Sequence, residues 1–299
     1  MATISSPPRT RDTRVWPTVL LELVVVAGLF AAYRSARLLA GHSRATAVDN
    51  AHALLTWERA LRLPGELDVQ HLMLTSETIT RLANVYYATV HFPLTVAFLV
   101  WLFIRNRDHY YRIRTSLALL TGLALSIHAA FPLAPARMLS GRGFVDTAAM
   151  YGPAVYSSPA TDHLTNQFAA MPSLHFGWAV LVAHGIIRAS RSRYRLLWIA
   201  HPVVTLLVIV GTANHYWADA AIAGGLLLLT EYAVAAWWRA GRWLEDSNAP
   251  YPVGWSLGEQ GVGLLASLAK FRSGIEYELA DGRVRARGPP LSTVLRADC

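Results

Sequence analysis

The feature that most narrows the folds open to this chain is a series of apolar runs separated by short polar links, several of them near the roughly 20 residues a helix needs to cross a bilayer. They read as spans over residues 15–33, 83–104, 113–131, 172–187, 196–212 and 217–238. Composition agrees, with 54% hydrophobic and only 15% charged residues in 299, and a mean hydropathy of +0.31. The predicted fold class is all-α: a polytopic membrane helix bundle with about six transmembrane helices plus an interfacial amphipathic helix. The first run is too long for a signal-peptide core and has arginines on both flanks, so it reads as a retained anchor.

A formal charge of +8 would point to nucleic acid in a soluble protein. Here the arginines instead cluster between apolar runs, which argues for topology and against a nucleic-acid partner. Arg9, Arg11 and Arg14 precede the first span, Arg105, Arg107, Arg112 and Arg114 lie at the link between the second and third, and Arg188, Arg191, Arg193 and Arg195 fill the next such link. Arg239 and Arg242 follow the sixth. In a six-span arrangement all these fall on one side, which the positive-inside rule makes cytoplasmic. The expectation is a multi-pass plasma-membrane protein with both termini cytoplasmic. His175, His215 and the loop around Arg137 then share the outer face. The sole cysteine, Cys299, excludes disulfides within the chain and cysteine metal sites.

The expected organisation is a basic leader over 1–14, a six-span membrane catalytic domain over 15–240 and a cytoplasmic tail over 241–299. The motif-bearing core covers about 49–232. Residues 49–63 read as an amphipathic interfacial helix with Leu54, Trp57 and Leu61 as its apolar stripe, Asp49 or Asn50 as N-cap, and Pro64-Gly65 as its end. A second short helix is expected over 69–80. Prolines and glycines break the loop over 132–170. In the tail, Asp281-Gly282 marks a hairpin turn.

Three short segments carry candidate chemistry. His215 and Asp219 stand four apart at a helix start, so a carboxylate reaches one ring nitrogen, fixes the tautomer and leaves the other nitrogen free. In Pro172-Ser173-Leu174-His175 the proline suits a first helical turn, whose backbone N–H groups and Ser173 hydroxyl can bind an anion. His175 in that turn can donate a proton to a leaving oxygen. Arg137, just past the third span, can clamp phosphate oxygens in a two-point fork. Each segment also has a plainer account: a helix cap at Asn214, an ordinary helix start, and an arginine anchoring lipid headgroups. One shared site explains all three more economically. His91 sits a turn from Asn84, Tyr86 and Tyr87, where it can line a headgroup pocket, while His128 reads as a packed polar residue.

Pro172-Ser173-Leu174-His175 and His215-x-x-x-Asp219 resemble the second and third motifs of the type 2 phosphatidic acid phosphatase superfamily, and Arg137 in Ala134-Pro135-Ala136-Arg137 resembles the arginine of the first. The leucine within the second motif is similar to the inositolphosphotransferase (inositol-phosphorylceramide synthase)-like branch. So are the stretch Asn84-Val85-Tyr86-Tyr87-x-x-x-His91-x-Pro93 and the helix from His52 to Glu58. The resemblance implies a phosphohistidine at His215, oriented by Asp219, with His175 protonating the departing oxygen. Arg137 and Ser173 would hold the phosphate, His91 and Tyr87 would line the substrate pocket, and no metal or other cofactor would be needed. Two positions depart from the pattern: Ala130 and Ile209 stand where the first and third motifs often carry a lysine and an arginine. The expected partners are a lipid phosphate substrate and membrane lipids. The rivals are a non-catalytic lipid-binding or scrambling membrane protein, and a metal-dependent hydrolase using His175, His215 and Asp219 as ligands.

Overall fold

The computed structural model describes residues 44–153 and 168–246, the strand residues 276–280 and 283–287, and the isolated positions Val24 and Gly28. Its helices are α1 (Arg44–Ala60), α2 (Glu66–Leu74), α3 (Glu77–Thr89), α4 (His91–Arg105), α5 (Arg107–Ala130), the short α6 (Thr147–Tyr151), α7 (Leu174–Ala189), α8 (Ala200–Gly211) and α9 (Trp217–Asp246). Two compact units divide the chain, residues 1–231 and 232–299. The second contains β1 (Glu276–Ala280) and β2 (Arg283–Arg287), an antiparallel pair in which Ala280 faces Arg283. The turn residues Asp281 and Gly282 lie outside the described residues, as do the basic leader and most of the first expected span.

Polar residues at the helix starts account for several boundaries. Ser76 accepts from the Ile79 N–H to begin α3, and Asn106 accepts from the His109 N–H to begin α5. Two expectations are corrected here. The helix predicted over 69–80 is interrupted at Thr75-Ser76 and shared between α2 and α3. The span predicted over 83–104 is two helices, α3 and α4, bent by 48°. Pro93, in the first turn of α4, has no N–H to offer the Thr89 carbonyl and its ring crowds that oxygen, so the chain bends there. Pro202 acts alike: a 3-10 turn over Arg195–Ile199 precedes α8 in place of one continuous helix.

By length and composition α5 and the Trp217–Ala240 part of α9 can each cross a membrane, and the bent α3–α4 pair makes a third if it counts as one span. The helix α7 and the stretch Arg195–Gly211 are shorter apolar helices. Outward faces are apolar: Phe92, Val96, Val100 and Ile104 on α4, Leu119 and Leu123 on α5, and Val203, Val204 and Leu207 on α8 are exposed. A water-soluble protein rarely exposes apolar surface on so many helices, and a lipid surround removes the cost. This is a membrane protein.

The main bundle packs α4, α5 and α7 about Phe98, Leu102, Leu120, Leu181, Val182 and Ile186, with Leu227 of α9 joining them. Gly185 allows the close approach of α7 and α4, since the Phe98 ring lies against its Cα. Helix α1 packs beneath the loop that follows α5 through Ala47, Ala51 and Leu55. Its phase differs from expectation: Trp57 and Leu61 of the predicted stripe are exposed, and Glu58 is buried in their place. It also starts at Arg44, so Asp49 and Asn50 lie within it and neither is its cap. Asn50 instead donates to the Pro132 carbonyl at 2.8 Å.

Two glycine substitutions separate rigid from yielding contacts. A Cβ at Gly185 runs into the Phe98 ring, whereas one at Gly211 meets the flexible end of Met73. Gly185→Ala is expected to cost about 1–3 kcal/mol and Gly211→Ala less than about 1 kcal/mol. Thermal unfolding in detergent compares the two, and equal losses would contradict this packing.

Candidate active site

The candidate residues gather where helices end. His91 opens α4, His128 is near the end of α5, His175 is in the first turn of α7, His215 follows α8 and Asp219 is in the first turn of α9. The arginine-rich links 105–107 and 188–195 join the opposite ends of these helices.

The turn carrying His215 is built by the end of α8. The Asn214 N–H bonds to the Ile209 carbonyl and the Ala213 N–H to the Val210 carbonyl, the paired pattern that closes a helix through a left-handed residue. That residue is Ala213, at φ 53°, where glycine is usual. The conformation costs an alanine roughly 1–2 kcal/mol. The surrounding bonds hold it: the Ala213 carbonyl accepts from the Arg137 N–H at 2.8 Å, and the Arg137 guanidinium donates to the Asn214 side chain. Asn214 in turn donates to Thr212 at 2.8 Å.

His215 is 5% exposed and Asp219 fully buried. The Nδ1–H of His215 points at two acceptors, the Ala170 carbonyl at 2.8 Å and the Asp219 carboxylate at 3.2 Å. With the proton committed to Nδ1, Nε2 carries the free lone pair. The same Asp219 oxygen accepts from the Tyr216 N–H at 3.0 Å. Burial pushes the His215 imidazole down to about 4 from its ordinary 6.5, with the Ala170 bond acting upward and the Arg137 charge downward. At neutral pH the ring is therefore neutral and its lone pair available. Tyr216, wholly buried, donates its hydroxyl to the Ala134 carbonyl at 2.8 Å, and burial raises its phenol.

His175 faces His215 with ring centroids 5.8 Å apart. Its other sides meet aromatic rings: Tyr87 stacks on it at 4.3 Å and His91 tilts against it at 4.5 Å. His91 stacks in turn on Trp178 at 5.1 Å. Tyr87 and His91 thus stand at His175, while Asn84 and Tyr86 turn elsewhere. Asn84 donates to the Thr147 and Gly152 carbonyls, and Tyr86 contacts His201 at 2.6 Å. His128 reaches the Pro172 carbonyl at 3.1 Å.

Ser173 is the N-cap of α7, accepting from the Phe176 N–H at 3.4 Å, and its backbone N–H bonds to the Asp219 carbonyl at 3.1 Å. Pro172 therefore lies just before the cap, not in the first helical turn as the sequence reading has it. The hydroxyl expected to hold an anion also holds the helix start. Arg137 is 7% exposed and gripped from two sides, by Asn214 and, through Nε, by Asp146 at 3.4 Å. Ile209, at one of the two departing positions, is buried beside Tyr87, Val208 and Val210.

Sequence reasoning left out Asn214 as a guanidinium partner, Asp146, Ala170 and Trp178. Asn214 was visible as the neighbour of His215, but the reading made it a helix cap. Ala170 contributes only its carbonyl, and no side-chain pattern reveals that. Among the described residues no three His, Cys, Asp or Glu side chains converge in a way that would hold a metal.

The lowered imidazole has a consequence for stability. Unfolded His215 takes up a proton near 6.5 and the folded ring only near 4. Between these values the unfolded chain binds more protons, so stability falls as pH drops from 6.5 towards 4. Unfolding midpoints measured across this window are expected to fall less in His215→Asn than in the wild type, and parallel curves would refute the assignment of this proton.

The family model described as the PAP2 superfamily matches residues 52–234, which takes in every site residue above. No curated protein and no solved structure matches the chain. With its match spanning well over half the sequence and the motif residues assembled around one pair of histidines, the chain belongs to the PAP2 superfamily.

Proposed function

We propose that the protein is an integral-membrane lipid phosphatase or phosphotransferase that works through a phosphohistidine at His215. The observation that carries this reading is the facing pair of imidazoles 5.8 Å apart, one with its Nδ1 proton held by Ala170 and Asp219. A nucleophile attacks from about 3 Å, and a proton donor must come within about 3 Å of the leaving oxygen. Two rings at this separation can both reach one phosphoryl group set beside them, His215 at phosphorus and His175 at the leaving oxygen.

His215 Nε2 attacks phosphorus, an N–P bond forms, the P–O bond to the lipid breaks, and His175 delivers a proton to the departing oxygen. In the second half an incoming hydroxyl gives its proton to His175, its oxygen bonds phosphorus, and the N–P bond breaks. Asp219 steadies the charge that develops on His215. Arg137 and Ser173 hold phosphate oxygens, and Tyr87 and His91 line the approach to His175. Water as the incoming group makes a phosphatase, and a polyol or lipid hydroxyl makes a transferase. The leucine of the second motif and the segment from Asn84 to Pro93 favour the inositolphosphotransferase-like branch, and with it headgroup transfer. The chemistry requires no metal.

In the same reading the chain crosses the plasma membrane six times. Residues 15–33, α7 and the stretch 195–211 join the three longer spans, and the site faces outward, opposite the arginine links. A 16-residue helix such as α7 is about 24 Å long, short of a hydrocarbon core of about 30 Å. Its N-terminal end, with Ser173 and His175, then sits below the membrane surface, within reach of a headgroup phosphate.

Incubating the purified full-length protein with phospholipid labelled in its phosphate tests the reading. An acid-labile, alkali-stable phosphoenzyme is expected in the wild type, unaffected by chelator and missing in His215→Ala. Turnover should fall by at least about 10³-fold in His215→Ala and by roughly 10²- to 10⁴-fold in Asp219→Asn. Lipid binding without turnover or phosphoenzyme would establish the non-catalytic alternative, and loss of activity in chelator would establish the metal-dependent one. A new phospholipid formed only when a hydroxyl acceptor is supplied marks a transferase, and free phosphate alone marks a phosphatase.

A further inference from the structure

Glu58 is buried at 3% exposure near the end of α1, 160 residues before the chain segment it touches. Its Oε1 accepts a hydrogen bond from the Ala218 backbone N–H at 2.7 Å. Ala218 is the second residue of α9, and an N–H there is normally satisfied by the side chain of the residue just before the helix. That residue is Tyr216, whose ring extends to Ala134 and leaves the task undone. Asp219, the third residue of the helix, reaches back to the Tyr216 N–H at 3.0 Å. This is one half of a capping box. Glu58 supplies the other half from a different helix.

The geometry points to Glu58 as a positioning residue for catalysis, an N-cap supplied from α1 that fixes the first turn of α9 and so holds Asp219 against His215. The inference rests on the phosphohistidine reading and deepens it. Two further observations fit a role for the acceptor oxygen without a negative charge. The Glu58 side chain hydrogen-bonds to the neighbouring carboxyl of Glu66, itself 4% exposed, and two carboxyls pair this way only when one of them carries a proton. Burial, helped by Glu66 and by the charge of Asp219, raises the Glu58 carboxyl far enough to keep it protonated at neutral pH. A neutral carboxyl caps through its carbonyl oxygen and adds no second charge beside Asp219. The Trp217 indole N–H, bonded to the Pro64 carbonyl at 2.8 Å, ties the same turn to the segment just after α1.

The test compares Glu58→Gln, which keeps a neutral acceptor oxygen, with Glu58→Leu, which removes it at similar volume. Both are full-length proteins assayed for phospholipid turnover. Glu58→Leu is expected to lose about 10²-fold in kcat with KM within about twofold, because Asp219 is displaced while substrate contacts remain. Glu58→Gln should restore kcat to within about threefold of wild type. If Glu58→Leu does not fold, Glu58→Asp withdraws the acceptor by one methylene and takes its place in the comparison. Full kcat in the variant lacking the acceptor, or a Gln variant as impaired as Leu, would overturn the inference and leave the phosphohistidine reading standing. Amide hydrogen exchange over residues 216–220 reads the cap without any substrate. Faster exchange in Glu58→Leu than in Glu58→Gln is expected, and equal exchange overturns the cap. A folded wild type that turns over no phosphate ester overturns the phosphohistidine reading, and the catalytic role of Glu58 with it.

Discussion

A guanidinium shut away from water must find its partners inside the protein, because an unpaired buried charge is prohibitively costly. Arg137 meets this requirement with Asp146 on one side and Asn214 on the other, while its backbone N–H bonds to Ala213. These partners come from the loop beyond α5 and from the turn that ends α8. Satisfying one charge therefore brings distant parts of the chain together. His215 is the next residue after Asn214, so the same contacts set where its ring stands. The left-handed Ala213 belongs to this arrangement, since the turn that accepts the Arg137 N–H is the turn that needs a positive φ.

The site occupies the place where helices stop, and helix ends are where a membrane bundle has unspent hydrogen-bonding groups. Much of the construction is main-chain. Ser173 N–H bonds to the Asp219 carbonyl, Ala134 N–H to the Ala47 carbonyl, and Leu133 N–H to the Phe168 carbonyl. The Ala170 carbonyl holds the His215 ring more closely than the Asp219 carboxylate does. The N-termini of α7 and α9 meet here as well, each with a partial positive charge. That potential appears nowhere in a count of cationic side chains.

Most of the helical segments were legible because a run of apolar residues near span length has few other uses. The start of α9 at Trp217 and the end of α5 at Ala130 agree closely with the reading. Two spans were read as continuous although Pro93 and Pro202 stood inside them, since hydropathy averages over the one residue that bends a helix. The helix before Pro64 was found but its face was misjudged. Amphipathic reasoning takes large apolar residues as the buried side, and beside lipid Trp57 and Leu61 can remain outside while Ala47 and Ala51 permit close packing. Glu58, the least apolar residue of that buried face, gave no sign of being inside. Its partner is a backbone N–H 160 residues away.

The sequence by itself determined the class of the protein, the order of its apolar segments and the spacing His215-x-x-x-Asp219, because these depend on local chemistry and on helical period. It also named Tyr87, His91, His175, His215 and Asp219, whose side chains the fold brings together. Only the tertiary structure decided what holds them. Long-range bonds to carbonyls at Ala170, Ala213 and Asp219, and a carboxyl reaching from α1 to α9, depend on which helix ends meet. Backbone groups are the same at every residue, so their pairing cannot be read from the order of side chains.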